Sequence, residues 1–404
     1  MEYGCPMQVI RAQTVFSNKK CNPFRKIITT YLPILACFLA QESRYYRNMV
    51  RETDILERVR AGELSLPPAE LRILDIEPAA GRSAADAIIE ARWESQNVRF
   101  LAQFSRLATP KALRQAIALA RDAASPPETY PMVVVPYLSP DKLDQLQAMG
   151  VSGVDLCGNG VLVVPGRMSI FRGGQPNRFP QSAKLRNVYR GKNSLVARAF
   201  LLQPSFAQVK EILELLSQRG GNVAFSTVSK ALKRLEEDLI VSRQGDAIRL
   251  LQADVLLDKL AANYEPPDIE ERYRGKCDLP GKETIRKLTS AGIGQENKVI
   301  MTGAASAEKY AAMAGEPLVS LYTSLPPTEL LEKGGVAAKE TDRFANLEIL
   351  RTTDARVLFD PRVEDNLPYA SPVQTYLELA VGDKRQKDAA EQVRSGILAS
   401  LGKF

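Results

Sequence analysis

The stretch that most constrains this 404-residue chain runs from Ser194 to Leu251, centred on Ser226-Thr-Val-Ser-Lys-Ala-Leu-Lys-Arg-Leu-Glu-Glu-Asp238. Val228, Ala231, Leu232, Leu235 and Leu239 recur at helical spacing and predict one buried face. At about 100° per residue, Ser226, Thr227, Lys230, Lys233 and Arg234 fall on the opposite side. Ser226 is the expected N-cap, because a serine hydroxyl accepts from first-turn amides that otherwise lack a partner. Upstream, Phe206 to Gln218 repeats the helical pattern through Val209, Ile212, Leu213 and Leu216 and stops at Arg219-Gly220-Gly221. A glycine pair there both ends a helix and turns the chain. Ser194 to Leu202 is a third, shorter apolar helix. Two β-prone runs between Leu239 and Leu251 flank Gln244-Gly245-Asp246, a hairpin signal. Three helices followed by a hairpin predict a winged helix-turn-helix, whose last helix enters the DNA major groove while the hairpin flanks the backbone. A solvated helix, or a winged helix that binds protein, would carry the same periodicity.

Charge favours the nucleic-acid reading. Between Arg178 and Arg249 stand 13 Lys and Arg against 6 Asp and Glu, a surplus equal to the formal +7 of the whole chain. Such a local excess attracts phosphate. The segment Arg178 to Lys192 holds Lys184, Arg186 and Arg190 with no acid, so it reads as a basic linker that adds phosphate contacts or is simply solvated. Arg243, in the hairpin, is the expected wing contact.

Absences narrow the chemistry. The chain has no histidine, which removes Ser-His-Asp and Cys-His machinery in their usual form and every His-ligated metal site. Its cysteines, Cys5, Cys21, Cys37, Cys157 and Cys277, form no Cys-x-x-Cys pair and suit a reducing cytoplasm. Cys157 reads as a packing residue rather than a nucleophile. The apolar run from Ile27 to Ala40, broken by Pro33, is too short to span a bilayer.

In order, residues 1–48 read as an extension in front of Met49, the expected start. Residues 49–180 form an α/β domain. Its strands are expected at Asp86–Trp93 and Val98–Phe104, joined by a turn over Glu94–Asn97, and at Met132–Tyr137 and Gly160–Val164. Its helices are expected at Pro110–Ala123 and Asp141–Met149. An acid on one strand and an acid-x-Lys on the next is how PD-(D/E)xK nucleases hold Mg²⁺. Asp86 could be the first acid, with Glu90 and Glu94 nearby, but the second strand offers Gln103-Phe104-Ser105. Gly150 to Gly160 lacks the ending of a phosphate loop and reads as Gly and Asn in left-handed turns between short strands. Residues 181–254 form the winged helix. Residues 255–404 form a second α/β domain, after a helix from Gln252 to about Tyr264 and a boundary at Tyr264-Glu-Pro-Pro267. Its strands are expected at Lys298–Met301, Pro317–Tyr322, Leu347–Leu350 and Val357–Phe359. Its helices are expected at Ser306–Ala314, Val373–Leu379 and Lys387–Ser400.

From about residue 85 onward the chain resembles the AbiEi-type antitoxin and transcriptional-regulator family of type IV toxin–antitoxin systems. The resemblance rests on the order of Val135-Pro-Tyr-Leu-Ser139, Gly153-Val-Asp-Leu-Cys-Gly-Asn159, Lys184-Leu-Arg-Asn-Val-Tyr-Arg-Gly191, Ser226-Thr-Val-Ser-Lys230 and Pro372-Val-Gln-Thr-Tyr-Leu-Glu-Leu379. It implies a bacterial autorepressor that binds its own promoter as double-stranded DNA, beside a separately encoded nucleotidyltransferase toxin. It also implies that the Asp86 region is a degenerate nuclease-type fold. The expectation is thus a multidomain α+β protein: a degenerate nuclease-like α/β domain, a winged helix-turn-helix and a C-terminal α/β domain. It is cytoplasmic and non-enzymatic, needs no cofactor or metal, has no membrane partner and forms a homodimer on DNA. The rivals are a metal-dependent nuclease guided by the winged helix and a protein-binding scaffold.

Overall fold

The computed structural model describes residues 52–76, 85–179, 187–245, 247–291, 298–313 and 318–402. The expected extension at 1–48, and Lys184, Arg186 and Asp246, lie outside them. Throughout, the chain mixes α and β. Helix α1 (Glu52–Arg60) buries Ile55 and Val59 completely and precedes a seven-stranded sheet whose strands follow chain order. Strands β1 (Glu70–Ile76), β2 (Ala87–Trp93) and β3 (Gln96–Phe104) make an antiparallel meander. The β2–β3 turn is tighter than expected, because Trp93 pairs with Gln96 and Glu94 takes φ 54°.

Two parallel additions follow, β4 (Thr129–Val135) beside β3 and β5 (Ser152–Asp155) beside β4. Parallel neighbours need crossovers rather than hairpins, and α2 (Pro110–Ala123) and α3 (Pro140–Ala148) supply them. Both lay Leu113, Ile117, Leu143 and Leu146 against Val133 and Val135. Strands β6 (Gly160–Val164) and β7 (Met168–Arg172) finish the sheet antiparallel.

Three of these strands, β1, β5 and β7, are additional to the sequence expectation. β5 lies inside the glycine-rich stretch, where the glycines serve packing as well as turning. A Cβ on Gly153 would stand 2.5 Å from Leu146, and one on Gly160 would stand 2.8 Å from Leu66. Gly158, at φ +94°, makes the left-handed turn. Asn159 does not turn the chain but ties it: its Nδ2 donates to Asp155 at 2.7 Å and its Oδ1 accepts from Gln175 N at 2.7 Å. The fully buried Asp155 carboxylate also accepts from Leu138 N, Cys157 N and Asn159 N, each at 2.8 Å.

The next unit runs α4 (Ser194–Leu202), β8 (Ser205–Phe206), α5 (Val209–Gln218), α6 (Phe225–Glu237), β9 (Val241–Gln244), β10 (Ala247–Leu250). Its three strands form one sheet in the order β8-β10-β9. The two-residue β8 is too short to show a period in sequence. Helix α7 (Ala253–Ala262) follows.

The last part begins with β11 (Glu271–Cys277), α8 (Gly281–Ala291), β12 (Val299–Thr302), α9 (Gly303–Ala307) and β13 (Val319–Thr323). It continues with α10 (Pro327–Gly334), β14 (Ala338–Glu340), β15 (Leu347–Arg351), β16 (Arg362–Glu364) and β17 (Leu367–Tyr369). Helices α11 (Pro372–Ala380) and α12 (Lys384–Leu401) close it. The sheet order is β14-β11-β15-β13-β12-β17-β16, with mixed pairing. The expected strand at Val357–Phe359 is a turn instead. Its apolar residues are buried by packing and not by pairing in a sheet: Val357 and Leu358 lie against Tyr322 and Leu350, and Phe359 joins the core of the helical unit. That core is continuous from Leu195 through Leu232 and Leu257 to Val373 and Ile397. The 254/255 boundary divides the sequence, but α11 and α12 pack on both sides of it.

Candidate nucleic-acid interface

Helix α6 presents the residues on which the sequence reading rests. Val228, Leu232 and Leu235 are fully buried and Ala231 nearly so, as the spacing predicts. Phe225, Ser226, Lys230 and Lys233 are exposed, with Ser229 half-buried between them. At about 100° per residue these five occupy one arc of about 140° opposite the buried face. Thr227 and Arg234 are half-buried on the flank of that arc.

Ser226 does not cap the helix. The N-cap is Ala224 (φ −70°, ψ 148°), with no side-chain cap bond, so the helix begins two residues earlier and leaves the Ser226 hydroxyl on its second position. This frame brings in Phe225, which the sequence reading missed. Its signal was present: residue 225 lies at i−1, i−4 and i−5 from Ser226, Ser229 and Lys230. Setting the helix start at a good capping residue hid it.

The turn into α6 is fixed by Gly220 at φ +87°, with Gly221 N donating to Leu216 O at 2.7 Å. That pair of features makes a left-handed helix stop of the expected kind. The same turn is held from outside, because Asp360 N donates to Arg219 O at 3.0 Å and the Arg219 guanidinium meets Asp360 Oδ1 at 3.0 Å. Burial raises the Asp360 carboxyl above its ordinary range, although Arg362 and Arg219 pull the other way.

The far end of α6 stops at Leu239, which takes φ 59° while Ile240 N donates to Leu235 O at 2.8 Å. A leucine in this conformation costs about 1–2 kcal/mol, and Gln252 Nε2 steadies it with a 2.7 Å bond to Leu239 O. The α/β domain grips the same end. Thr109 donates its hydroxyl to Glu237 at 2.7 Å, and Lys111 Nζ pairs with Glu236 at 2.7 Å.

Arg234 is engaged within the fold, its Nε 3.2 Å from Asp238 Oδ2. That nearly buried carboxylate also accepts from the Tyr189 hydroxyl at 2.7 Å. Burial raises the Tyr189 hydroxyl pKa, and the Asp238 charge adds to it. Lys142 of α3 is drawn down from its ordinary value, first by burial and then by Arg234. Lys259 of α7 lies 5.4 Å from the Tyr189 ring centroid, within reach of a cation–π contact.

On the hairpin, Arg243 is exposed and 3.8 Å from Glu236. Gly245 turns the tip at φ +57°. Arg190 is paired with Glu265 and partly exposed. The structure thus brings Ser226, Lys230, Lys233 and Arg243 to solvent around one helix and hairpin. It pairs the half-buried Arg234 with Asp238, and the exposed Arg190 with Glu265.

A second cluster escaped the sequence reading. Arg198 of α4 is 2 % exposed, and its Nη1 donates to Gln374 Oε1 at 2.8 Å and to Arg356 O at 3.0 Å. Its Nε has no partner. Burial pushes its guanidinium down to about 10, still cationic at neutral pH. Gln374 Nε2 donates to Glu378 at 2.7 Å, and Glu378 also accepts from Gly303 N at 2.8 Å and the Tyr322 hydroxyl at 3.0 Å. A lone arginine in the middle of Ser-Leu-Val-Ala-Arg-Ala-Phe-Leu-Leu is the signal that would have found it.

The acids weighed as metal ligands lie apart in role. Asp86 accepts from Phe104 N at 2.6 Å and from Gln103 Nε2. Glu90 is buried and pairs with Arg92 at 2.9 Å, and Glu94 sits in the β2–β3 turn. Among the described residues no three His, Cys, Asp or Glu gather as a metal site. Cys157 is half-buried, and its Sγ accepts from Arg178 N at 3.4 Å. No helix among the described residues is long and apolar enough to cross a membrane. The chain matches no family model, no curated protein and no solved structure.

Proposed function

We propose that this chain is a sequence-specific regulator that binds double-stranded DNA through a winged helix-turn-helix, with α6 as recognition helix and β9–β10 as wing. The observation that carries the reading is the exposed arc of α6, where hydroxyls and two lysines face solvent directly opposite a fully buried apolar face. The order helix, strand, helix, helix, strand, strand supports it, with β8 paired to β10 as the short strand that joins the wing. Under this reading Lys230, Lys233 and Arg243 meet phosphate, and Ser226 reaches base edges. Lys184 and Arg186 supply further phosphate contacts from the linker. The exposed Arg190 is a further phosphate contact from the same side of the chain, and the half-buried Arg234 and Thr227 lie at the flank of the surface.

The resemblance extends the proposal. The chain represses its own promoter, works in the cytoplasm as the antitoxin partner of a nucleotidyltransferase-type toxin, and binds DNA as a homodimer. The first domain then derives from a nuclease-like fold. Gln103 stands where a second acid would be needed and spends its amide on Asp86. Ser105 stands in the lysine position.

The test is binding of the full chain to its own upstream promoter fragment at several salt concentrations, with and without Mg²⁺. Each lost phosphate contact lowers the slope of log K against log salt by about 0.9. Lys230→Ala plus Lys233→Ala is expected to flatten the slope by about two such steps. An unchanged slope would remove α6 from the interface, and no salt-dependent affinity would favour a protein-binding scaffold. Mg²⁺-dependent cutting that Asp86→Ala abolishes would restore the nuclease.

A further inference from the structure

Phe225 is 61 % exposed at the first residue of α6. It shares the exposed arc with Ser226, Ser229, Lys230 and Lys233, the residues that suit an aqueous, phosphate-rich surface. An aromatic ring does not suit that surface. Left in water it forgoes the free energy that burying its apolar area would release, and the fold has no use for it, since the core side of α6 is already filled by Val228, Leu232 and Leu235. The opposite end of the helix is occupied by Thr109 and Lys111 at Glu237 and Glu236. At the Phe225 end the outside contacts fall on the preceding turn, at Arg219 and Gly221, and leave the ring itself uncovered.

On the DNA-binding reading of α6, on which this inference rests, residues at the start of a recognition helix reach base edges in the major groove. The major-groove edge offers hydrogen-bond donors and acceptors, flat C–H positions and one apolar group that projects from the base, the C5-methyl of thymine. A phenyl ring cannot satisfy a donor or an acceptor, so the methyl is the base feature against which it can bury the most apolar area. We infer that Phe225 is a specificity-determining residue that reads a pyrimidine C5-methyl group, while Ser226 and Ser229 bond the polar edge of the neighbouring base. Thymine and 5-methylcytosine present the same methyl at the same place.

The test uses the full chain and needs no prior operator. Tight sites are selected from a random double-stranded library, and each thymine in the winning site is then replaced singly by uracil. This removes the methyl and leaves every hydrogen-bonding group. One thymine per half-site is expected to lose about fourfold in affinity, the equivalent of one buried methylene at about 0.8 kcal/mol. Phe225→Ala, which alters both subunits, is expected to bind the parent site about as weakly as the wild type binds the site with the sensitive thymine of both half-sites replaced. It should show no further loss with uracil and keep its salt slope. Phe225→Leu, still apolar, is expected to retain part of the methyl sensitivity. In a parallel arm, the sensitive T·A pair is changed to C·G, with and without a C5-methyl on the cytosine. Affinity regained by methylation supports a reader of the methyl itself, while no gain limits the contact to thymine. Uracil substitution without effect at every position would overturn the inference while leaving DNA binding standing, as would a Phe225→Ala variant as sensitive as the wild type. A Phe225→Ala variant that changes oligomeric mass but not methyl sensitivity would assign the ring to a protein interface instead. Failure to enrich any sequence would overturn the DNA-binding reading together with this one.

Discussion

Gly221→Ala is the perturbation that best tests how α6 is held. Gly221 is the second residue of the turn between α5 and α6, and a Cβ there would stand 3.1 and 3.2 Å from two carbons of the Phe359 ring and 3.3 Å from Leu195 Cδ1. Phe359 and Leu195 are 1 % and 0 % exposed, so neither can retreat into solvent. Forcing a methyl into a filled core costs about 1–3 kcal/mol. Against this, alanine narrows the unfolded ensemble, a stabilisation of about 0.4–1 kcal/mol. The net expectation is a loss of about 1–2 kcal/mol.

The partner responsible can be identified. Phe359→Leu alone creates space and is itself destabilising, but in combination the alanine methyl occupies part of that space. The two changes should fall short of additive by at least about 0.5 kcal/mol. Urea unfolding followed by far-UV circular dichroism measures all four proteins, with a constant slope required before the midpoints are compared. Gly220→Ala is the control. Its penalty comes from φ +87°, about 1–2 kcal/mol, and Phe359→Leu should not relieve it. A neutral or stabilising Gly221→Ala, or strict additivity with Phe359→Leu, would refute the claim that this turn is wedged against the C-terminal segment.

Two further outcomes follow from the buried polar groups. Arg198→Met is expected to destabilise the protein by about 2–4 kcal/mol in urea unfolding, because Gln374 Oε1 and the Arg356 carbonyl both lose their donor and each unsatisfied acceptor costs about 1–3 kcal/mol. An equally stable or more stable variant would mean that relief of the buried cation dominates. At Asp354 burial acts to raise the carboxyl, but hydrogen bonds and charge from Arg356 outweigh it and leave the group below its ordinary value of 3.8. A lowered acid contributes stability above its unfolded pKa and loses it as pH falls through the folded value. Wild type should therefore lose stability more steeply than Asp354→Asn as pH drops below about 4, and parallel pH profiles would exclude the pairing as a source of stability.

Much of α6 was legible in the sequence because helical periodicity is a local signal: Val228, Ala231, Leu232 and Leu235 are buried where spacing put them. The Gly220 stop was legible for the same reason, since a positive φ selects glycine whatever the surroundings. What escaped depends on groups distant in sequence. Strand β5 reads as a turn because Gly153 is a glycine for packing, its Cβ position filled by Leu146 and Val133, a contact that exists only once α3 lies on the sheet. The Val357–Phe359 run reads as a strand because its residues are apolar, but Val357 and Leu358 pack on Tyr322 and Leu350 of the C-terminal sheet while Phe359 turns into the core shared with α4 and α5. Arg234 reads as a groove cation because periodicity ranks residues by angle alone. Its partner Asp238 is only four residues away; what no window shows is that the same carboxylate is buried and bound by Tyr189, 49 positions from it in sequence.

Both ends of α6 thereby acquire owners outside its own unit. Asp360 and Phe359 hold the turn before it, from the C-terminal part of the chain. Thr109 and Lys111 hold its last turn, from the N-terminal domain. The half-buried Lys111–Glu236 pair is still open to solvent, and pairs near the surface contribute about 0–1 kcal/mol. Thr109 does more, because the hydroxyl that reaches Glu237 also accepts from Ala112 N at 3.3 Å and caps α2. One residue thus sets the start of α2 and the end of α6 together. The helix cannot tilt relative to either neighbour without breaking a buried contact at one of its ends. The geometry with which α6 meets a ligand is accordingly a property of the whole described chain, and the segment from Ser194 to Leu250 would not reproduce it alone.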